Sequence, residues 1–367
     1  VKILVKTPIS PYSGYGNDGI GMLTALIRAG FDVYIDPAHV SPPLPEPVCN
    51  LLTKRLKAPF DLFIQHQDPG LLDATDEIRR SSGLTVGWTM WEYTTLDNLR
   101  GRSSLRKRTK NFDLLLGYDP VTVEALRPYA TNALESLQGG YSPGQWTYQS
   151  RDWNSSRFGF CMLGQLHQRK DPFVAIMAFK ELKDEYPEEF EGAELHLKTN
   201  TPGLHSAMQQ WVPKLRVHYD TWPEELMRDF YGSQHCLLAP SRGEGKNIPA
   251  LEFLSTGGTV IATNWGGHTQ WLSGQIGYPL DYILAPLGPG TPKCLNARAS
   301  KDHLKSLMLH VYRNRDEARR KGEIASQLIP QMCSWDAVVT RLMDKIGAAT
   351  QGNDHFIHAA RRTSKKS

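Results

Sequence analysis

Cysteine is scarce and scattered in this chain. Five occur in 367 residues, Cys49, Cys161, Cys236, Cys294 and Cys333, and no two form a C-x-x-C pair. That spacing argues against a zinc site or a disulfide framework, and reduced thiols in the cytoplasm fit it best. Long apolar runs are also missing. None approaches the ~18 residues that a membrane-spanning helix needs, and Val1–Lys6 is a short strand pattern rather than a signal peptide. Charge of one sign is not in large excess: 42 basic against 38 acidic residues leave a net +4. This balance permits an acidic partner without announcing one. What remains is an ordinary globular composition, 40% hydrophobic and 22% charged. The length suffices for two domains with sizeable cores.

The informative stretch runs from Cys236 to Trp271, CLLAPSRGEGKNIPALEFLSTGGTVIATNWGGHTQW. Cys236–Ala239 reads as a short buried strand, which Pro240, Gly243 and Gly245 break into a loop. Pro249 suits a first helical position, and the short helix Ala250–Ser255 is ended by Gly257 and Gly258. Thr259–Ala262 is β-branched and apolar, the pattern of a buried parallel strand. Glu244 lies in the loop, and Glu252 follows after seven intervening residues, inside the helix. A carboxylate can accept both hydrogens of a diol on a sugar or ribose ring. The N–H groups of Gly245, Lys246 and Asn247 lie near the helix start, where phosphate is favoured. Acceptors for hydroxyls beside donors for phosphate are what a nucleotide-sugar demands. A glycine-rich turn with two solvated glutamates is the other reading of the same residues.

The stretch resembles the signature of the large retaining family of GT-B glycosyltransferases, which contains many bacterial mannosyl- and glucosyltransferases. Pro240, Ser241, Glu244, Gly245, Leu251, Glu252, Gly257, Val260, Ile261, Ala262, Thr263, Gly266 and Gly267 match it in order. Asn247 stands where a glycine is common, and Gln270 where an acid often follows the Gly-Gly pair. The resemblance implies that Glu244 contacts donor-sugar hydroxyls and that Glu252 holds the ribose.

Upstream, Val1–Lys6 reads as a strand. A helix with Met22, Leu23, Leu26 and Ile27 at helical spacing follows, and then a strand at Phe31–Ile35. Gly14, Gly16 and Gly19 spell G-x-G-x-x-G, with Asp36 after the second strand, which opens a reading as an NAD-dependent oxidoreductase. In that fingerprint the first glycine directly follows the strand, whereas residues 7–13 intervene here, which argues against it. The alternatives are a surface loop and a long glycine-rich loop resembling the first loop of GT-B enzymes. In the latter, N–H groups at Gly14 and Gly16 approach the donor phosphate. His66 ends another strand and reads as structural. The strand Thr85–Met90 leads into Trp91 and Glu92, where many relatives carry a histidine near the reacting sugar carbon. Glu92 is a ligand or base for an acceptor hydroxyl, or else a surface or capping glutamate. Arg100–Lys110 holds six basic residues and no acid. It is either a solvated face or a contact for an anionic acceptor such as modified DNA or a phosphorylated molecule. Tyr148–Arg157 is polar and turn-rich and reads as a linker.

Downstream of the linker, Phe158–Leu163 reads as a strand. Asp171 and Pro172 then open a helix as cap and first residue, with Ala175, Ile176, Phe179 and Leu182 as its buried stripe. In relatives an arginine and a lysine in this turn grip the diphosphate. Lys170 matches the lysine, Gln165 replaces the arginine, and Arg169 stands nearby. Such cations answer the negative charge that grows on the departing phosphate. No Asp-x-Asp pair occurs, so neither a metal nor another cofactor is expected. Tyr278–Ser300 reads as a long Pro- and Gly-rich loop.

The resemblance thus implies an α/β GT-B fold, two Rossmann-like parallel-sheet domains facing a cleft. The expected boundaries are 1–150 for an acceptor-side domain, 151–335 for a nucleotide-sugar-binding domain, 336–347 for a closing helix, and 348–367 for a basic, disordered tail. The implied function is metal-independent transfer of a glucose- or mannose-type hexose, with retention, from a nucleoside-diphosphate sugar to an acceptor hydroxyl. A non-catalytic carbohydrate- or nucleic-acid-binding protein on the same scaffold is the principal alternative.

Overall fold

The computed structural model describes residues 1–349 except 145, 201–202, 204–206 and 287–291. Of the expected tail, residues 350–367 lie outside the described residues, and 348–349 belong to the last helix. The described residues divide into two compact units. One takes in Val1–Ser142, Leu287–Leu295 and the chain from Cys333; the other takes in Pro143–Pro286 and Asn296–Met332.

The first unit follows the chain as β1 (Lys2–Ile9), α1 (Gly14–Arg28), β2 (Asp32–Val40), α2 (Glu46–Leu52), β3 (Phe60–His66), α3 (Asp76–Ser81), β4 (Ser82–Thr89), α4 (Arg102–Thr109), β5 (Leu114–Gly117), α5 (Pro120–Leu126) and β6 (Ala133–Ser136). Its six strands pair in parallel in the order β2-β1-β3-β4-β5-β6. Alternation along the strands fills both faces, as a parallel sheet covered on two sides requires. Ile3, Val5, Leu62, Ile64, Leu114 and Leu116 join one core, while Leu4, Phe63 and Leu115 join the other.

The second unit runs β7 (Phe158–Leu163), α6 (Pro172–Glu185), β8 (Ala193–Thr199), β9 (Leu215–Tyr219), α7 (Glu224–Ser233), β10 (Cys236–Ala239), α8 (Ile248–Ser255), β11 (Thr259–Thr263) and β12 (Tyr278–Leu280). These strands form a second six-stranded parallel sheet, β12-β11-β10-β7-β8-β9. Phe160, Met162, Leu195, Leu197 and Leu238 pack with the expected α6 stripe of Ala175, Ile176, Phe179 and Leu182. The chain then forms β13 (Tyr282–Pro286), β14 (Leu295–Ala299), α9 (Lys301–Arg313), α10 (Arg315–Cys333) and α11 (Trp335–Ala349). The long loop expected from Tyr278 to Ser300 therefore contains three short strands. Pro279 sits in the middle of the brief β12 and Pro286 at the end of β13, where few ladder bonds are lost.

Helix α11 returns to the first unit. Val338, Val339, Leu342, Met343 and Ile346 complete that unit's larger core. Trp335 leads it in against two glycines. A Cβ on Gly21 would stand 2.1 Å from the Trp335 ring, and one on Gly140 would stand 2.7 Å from it. The stretch expected as a linker is instead anchored to the second unit. Buried Arg151 donates to the carbonyls of Gln234, Tyr231 and Thr256.

Candidate functional site

In open parallel sheets, ligands gather beyond the carboxyl ends of the strands. In the second unit, the loops leaving β7 and β10 lie there. After β7 the chain turns through Gly164 at φ 111°, a conformation closed to most side chains, and then through a single helical turn, Gln168–Lys170. After β10 comes the loop with Glu244. The two loops are joined by hydrogen bonds, Arg242 N–H to the Arg169 carbonyl at 2.8 Å and Arg169 Nη1 to the Gly243 carbonyl at 2.5 Å.

The joint brings Arg169 and Lys170 onto Glu244. Lys170 Nζ stands 2.5 Å from Oε1 and Arg169 Nη1 stands 3.1 Å from Oε2. Oε1 has its ion-pair partner but no well-aligned hydrogen bond. Glu244 is 6% exposed. Burial pushes its carboxyl up, but Lys170 first, then Arg169 and His268, outweigh this and hold it well below the usual carboxylate range. Gln165, in the family arginine's place, is exposed, and Arg169 is the second cation that reaches the carboxylate.

Asp171 does not cap α6 as expected. Its backbone is left-handed, at φ 50°, and its carboxylate accepts from Arg242 Nε at 2.8 Å, which ties the two loops together once more. Asn247 shows why a glycine is replaceable at its position. It lies at φ 66°, a region that asparagine tolerates better than most residues. Gly245, Lys246 and Asn247 form the loop into α8, and the Lys246 carbonyl accepts from Trp271 Nε1 at 2.9 Å. Gly267 must be glycine, because a Cβ there would lie 2.0 Å from the Gly245 carbonyl oxygen, and its own N–H bonds the Glu244 carbonyl at 2.8 Å.

His268, beside this pair, escaped the sequence reading, although it stands inside the motif region. Its Nδ1 lies 2.8 Å from the Thr263 carbonyl and its Nε2 lies 3.0 Å from Asn247 Nδ2. The carbonyl can only accept and the amide nitrogen can only donate, so the ring is neutral with its proton on Nδ1. Burial pushes its pKa down to about 4, in agreement. Glu252, on α8, is partly buried, and its Oε2 accepts from the Tyr231 hydroxyl at 2.9 Å. Burial raises its carboxyl to about 7 against the pull of Tyr231. Tyr231 was also missed, because it sits on the preceding helix, 21 residues upstream, with no local spacing to betray it.

The remaining sequence-derived residues belong to the first unit. Strand β1 runs on to Ile9 and α1 starts at Gly14, so the expected long loop shrinks to 10–13, and the three glycines are helical. Two of them make room for backbone: a Cβ on Gly16 would meet the Ser10 carbonyl oxygen at 2.5 Å, and one on Gly19 the Pro8 carbonyl oxygen at 2.1 Å. The Gly16 N–H is already taken by the Ser13 hydroxyl at 3.1 Å, whereas a Cβ on Gly14 would make only an ordinary contact, 3.9 Å from the Met90 methyl. Glu92 lies half-buried in the loop after β4. Its charge reaches Asp119, which is pushed up to about 6 chiefly by burial. His66 is fully buried, bonded to Thr7 Oγ1 at 3.1 Å and to the Tyr118 hydroxyl at 2.6 Å, as a structural histidine should be. Half of the basic run serves the fold: Arg102 pairs with Asp97, Arg108 donates to the Gly70 and Leu72 carbonyls, and Lys110 lies 3.8 Å from Asp76.

Residues 157–286 match the family model described as Glycosyl transferases group 1. No curated protein matches the chain in sequence. Among solved structures it is similar to sucrose-phosphate synthase from Thermosynechococcus elongatus, with a TM-score of 0.67 at 14% identity, covering 95% of this chain and 100% of that one. The E. coli trehalose-6-phosphate structure bound with UDP-2-fluoro glucose gives 0.68 at 12% identity over 94% and 98%. WaaG, a glycosyltransferase involved in lipopolysaccharide biosynthesis, gives 0.61 at 12% identity over 93% and 98%. The fold is GT-B, and the segment that matches the group 1 glycosyltransferase model lies in the second unit. Among the described residues, no helix is long and apolar enough to cross a membrane.

Proposed function

We propose that this chain is a retaining hexosyltransferase. It moves a glucose- or mannose-type sugar from a nucleoside diphosphate to an acceptor hydroxyl, with protein cations in the role a metal plays elsewhere. The observation that carries this reading is the convergence of Lys170 and Arg169 on buried Glu244, eight residues before Glu252 and inside the segment that matches the glycosyltransferase model.

Without donor, Glu244 pairs with both cations and leaves the cluster one positive charge in excess. An arriving diphosphate competes for Lys170 and Arg169 and releases Glu244 to accept hydroxyls of the donor sugar. The N–H groups of Gly245, Lys246 and Asn247 at the start of α8 add donors to the phosphates. Glu252 accepts the ribose hydroxyls. When the bond from the anomeric carbon to the phosphate oxygen breaks, the charge that grows on the leaving diphosphate meets two cations already in place, so little reorganisation is needed. His268 stays neutral and holds Asn247, hence the loop, in position.

The first unit is assigned the acceptor, with Glu92 as ligand or base for its hydroxyl. The test is release of nucleoside diphosphate from UDP-, GDP- and ADP-glucose and from GDP-mannose, with water or added sugars as acceptor. Release from one of them that is lost in Glu244→Ala is the expected result. No release from any, with or without acceptor, would favour a binding protein on this scaffold.

A further inference from the structure

One oxygen of the Glu252 carboxylate is engaged before any ligand arrives, and the group that engages it is rigidly held. Tyr231 is 1% exposed. Its ring packs edge-on against Trp146, with centroids 5.2 Å apart, and against Phe253 at 5.7 Å. Its carbonyl accepts from Arg151 Nη2 at 2.9 Å, which pins the end of α7. A phenol confined in this way cannot swing off the carboxylate. Burial, with Glu252 beside it, pushes its own ionisation far above the ordinary value, so it remains a donor wherever the protein is folded.

We infer that Tyr231 is a positioning residue for the donor: its hydroxyl fixes Glu252 through Oε2 and leaves Oε1 to take the ribose hydroxyls. The inference rests on the reading of Glu252 as the ribose ligand. A hydroxyl that donates to a carboxylate stabilises its ionised form, and ionised acceptors make the stronger hydrogen bonds. The other charges that bear on Glu252 are Glu224 on α7, which raises its pKa, and Lys246 in the loop before α8, which lowers it. Arg151 lies over the adjacent Phe253 ring, 5.3 Å from its centroid, and is held by backbone carbonyls. Burial sets Glu252 at about 7, and Tyr231 is the first of the groups that pull it down. Loss of that one donor therefore moves the midpoint upward by about one unit or more.

The experiment is titration calorimetry of the full chain with UDP-glucose, GDP-glucose and ADP-glucose between about pH 6 and about pH 9, for wild type, Tyr231→Phe and Glu252→Gln. Phenylalanine keeps the ring packing, and any titration of the ligand is common to all three proteins. For the sugar nucleotide that binds, wild-type affinity should rise with a midpoint near 7. In Tyr231→Phe the midpoint should move up, making binding about five-fold weaker at neutral pH and nearly equal to wild type at the alkaline end. Glu252→Gln should bind weakly with no midpoint in this range. A merely structural tyrosine would lower affinity equally at every pH, and an unmoved midpoint in Tyr231→Phe would overturn the inference while leaving the donor site standing. Failure of the wild type to bind any of the three would overturn the donor site and the inference together.

Discussion

Replacing Glu244 by glutamine should have opposite effects on binding and on transfer. The side chain is 6% exposed and shared between Lys170 at 2.5 Å and Arg169 at 3.1 Å. Glu244→Gln leaves two partly buried cations without their common anion. Stranding a buried charge in this way costs on the order of 3 kcal/mol when the partner is fully desolvated. The cation side chains keep 12% and 24% of their surface, so about half that figure is a reasonable expectation. An incoming diphosphate relieves this cost. Binding of the matching nucleoside diphosphate should therefore tighten by roughly ten-fold, which corresponds to about 1.4 kcal/mol. Transfer should fall by about 10²–10³, since the group that orients the reacting sugar is gone. Lys170→Ala should weaken nucleotide binding and turnover together. Calorimetry with UDP, GDP and ADP, beside a turnover assay on the corresponding sugar nucleotide, reads both quantities. If Glu244→Gln weakened nucleotide binding as much as Lys170→Ala does, the claim that Glu244 and the diphosphate compete for the same cations would be wrong.

Other consequences are equally open to measurement. Glu252 holds its proton up to about 7 in the folded chain, against an ordinary value of 4.5, so its stabilising contribution is complete at acid pH and is lost as pH rises through that window. Glutamine mimics the neutral acid; Glu252→Gln should match wild type in urea unfolding near pH 5 and exceed it near pH 8 by at most about 3 kcal/mol, and a pH-independent difference would refute the assignment. Asn247→Gly should leave the melting temperature nearly unchanged, whereas Asn247→Val should cost about 1–3 kcal/mol, because a β-branched residue resists φ 66°. Gly21→Ala places a methyl group 2.1 Å from the Trp335 ring and should cost about 1–3 kcal/mol by forcing α11 outward; a neutral effect would show that the helix has room to yield.

Much of this was legible in the sequence because parallel strands buried on two faces are written as short apolar runs. FDLFIQ, FGFCML and TVIA each became a strand within a residue of its expected limits, and VKILVK became one that runs on to Ile9. The loop–helix unit around Glu244 and Glu252 was legible because its glycines and prolines sit at fixed offsets. Glycine misled at Gly14, Gly16 and Gly19, which lie in a helix and not in an open loop; Gly16 and Gly19 serve its close packing on backbone, and the sequence carries no sign of which role a glycine plays. Proline and glycine also masked the brief strands between Tyr278 and Ala299, which are too short to show a period. The pairing of Glu244 with cations 74 and 75 positions away, and of Glu252 with Tyr231, depends on which strands are neighbours, and spacing along the chain does not encode that. Arg169 was visible as a neighbour of the missing arginine's position, but its reach to Glu244 follows only from the hydrogen bonds that join the two loops.

The most direct test of the central claim is a thermal-shift comparison of wild type and Glu252→Ala against UDP, GDP, ADP, their glucose and mannose conjugates, and NAD. The account predicts that one base family raises the melting temperature of the wild type, that the rise is lost in Glu252→Ala, and that NAD has no effect. A shift with NAD alone, or a nucleotide shift that survives in Glu252→Ala, would contradict it.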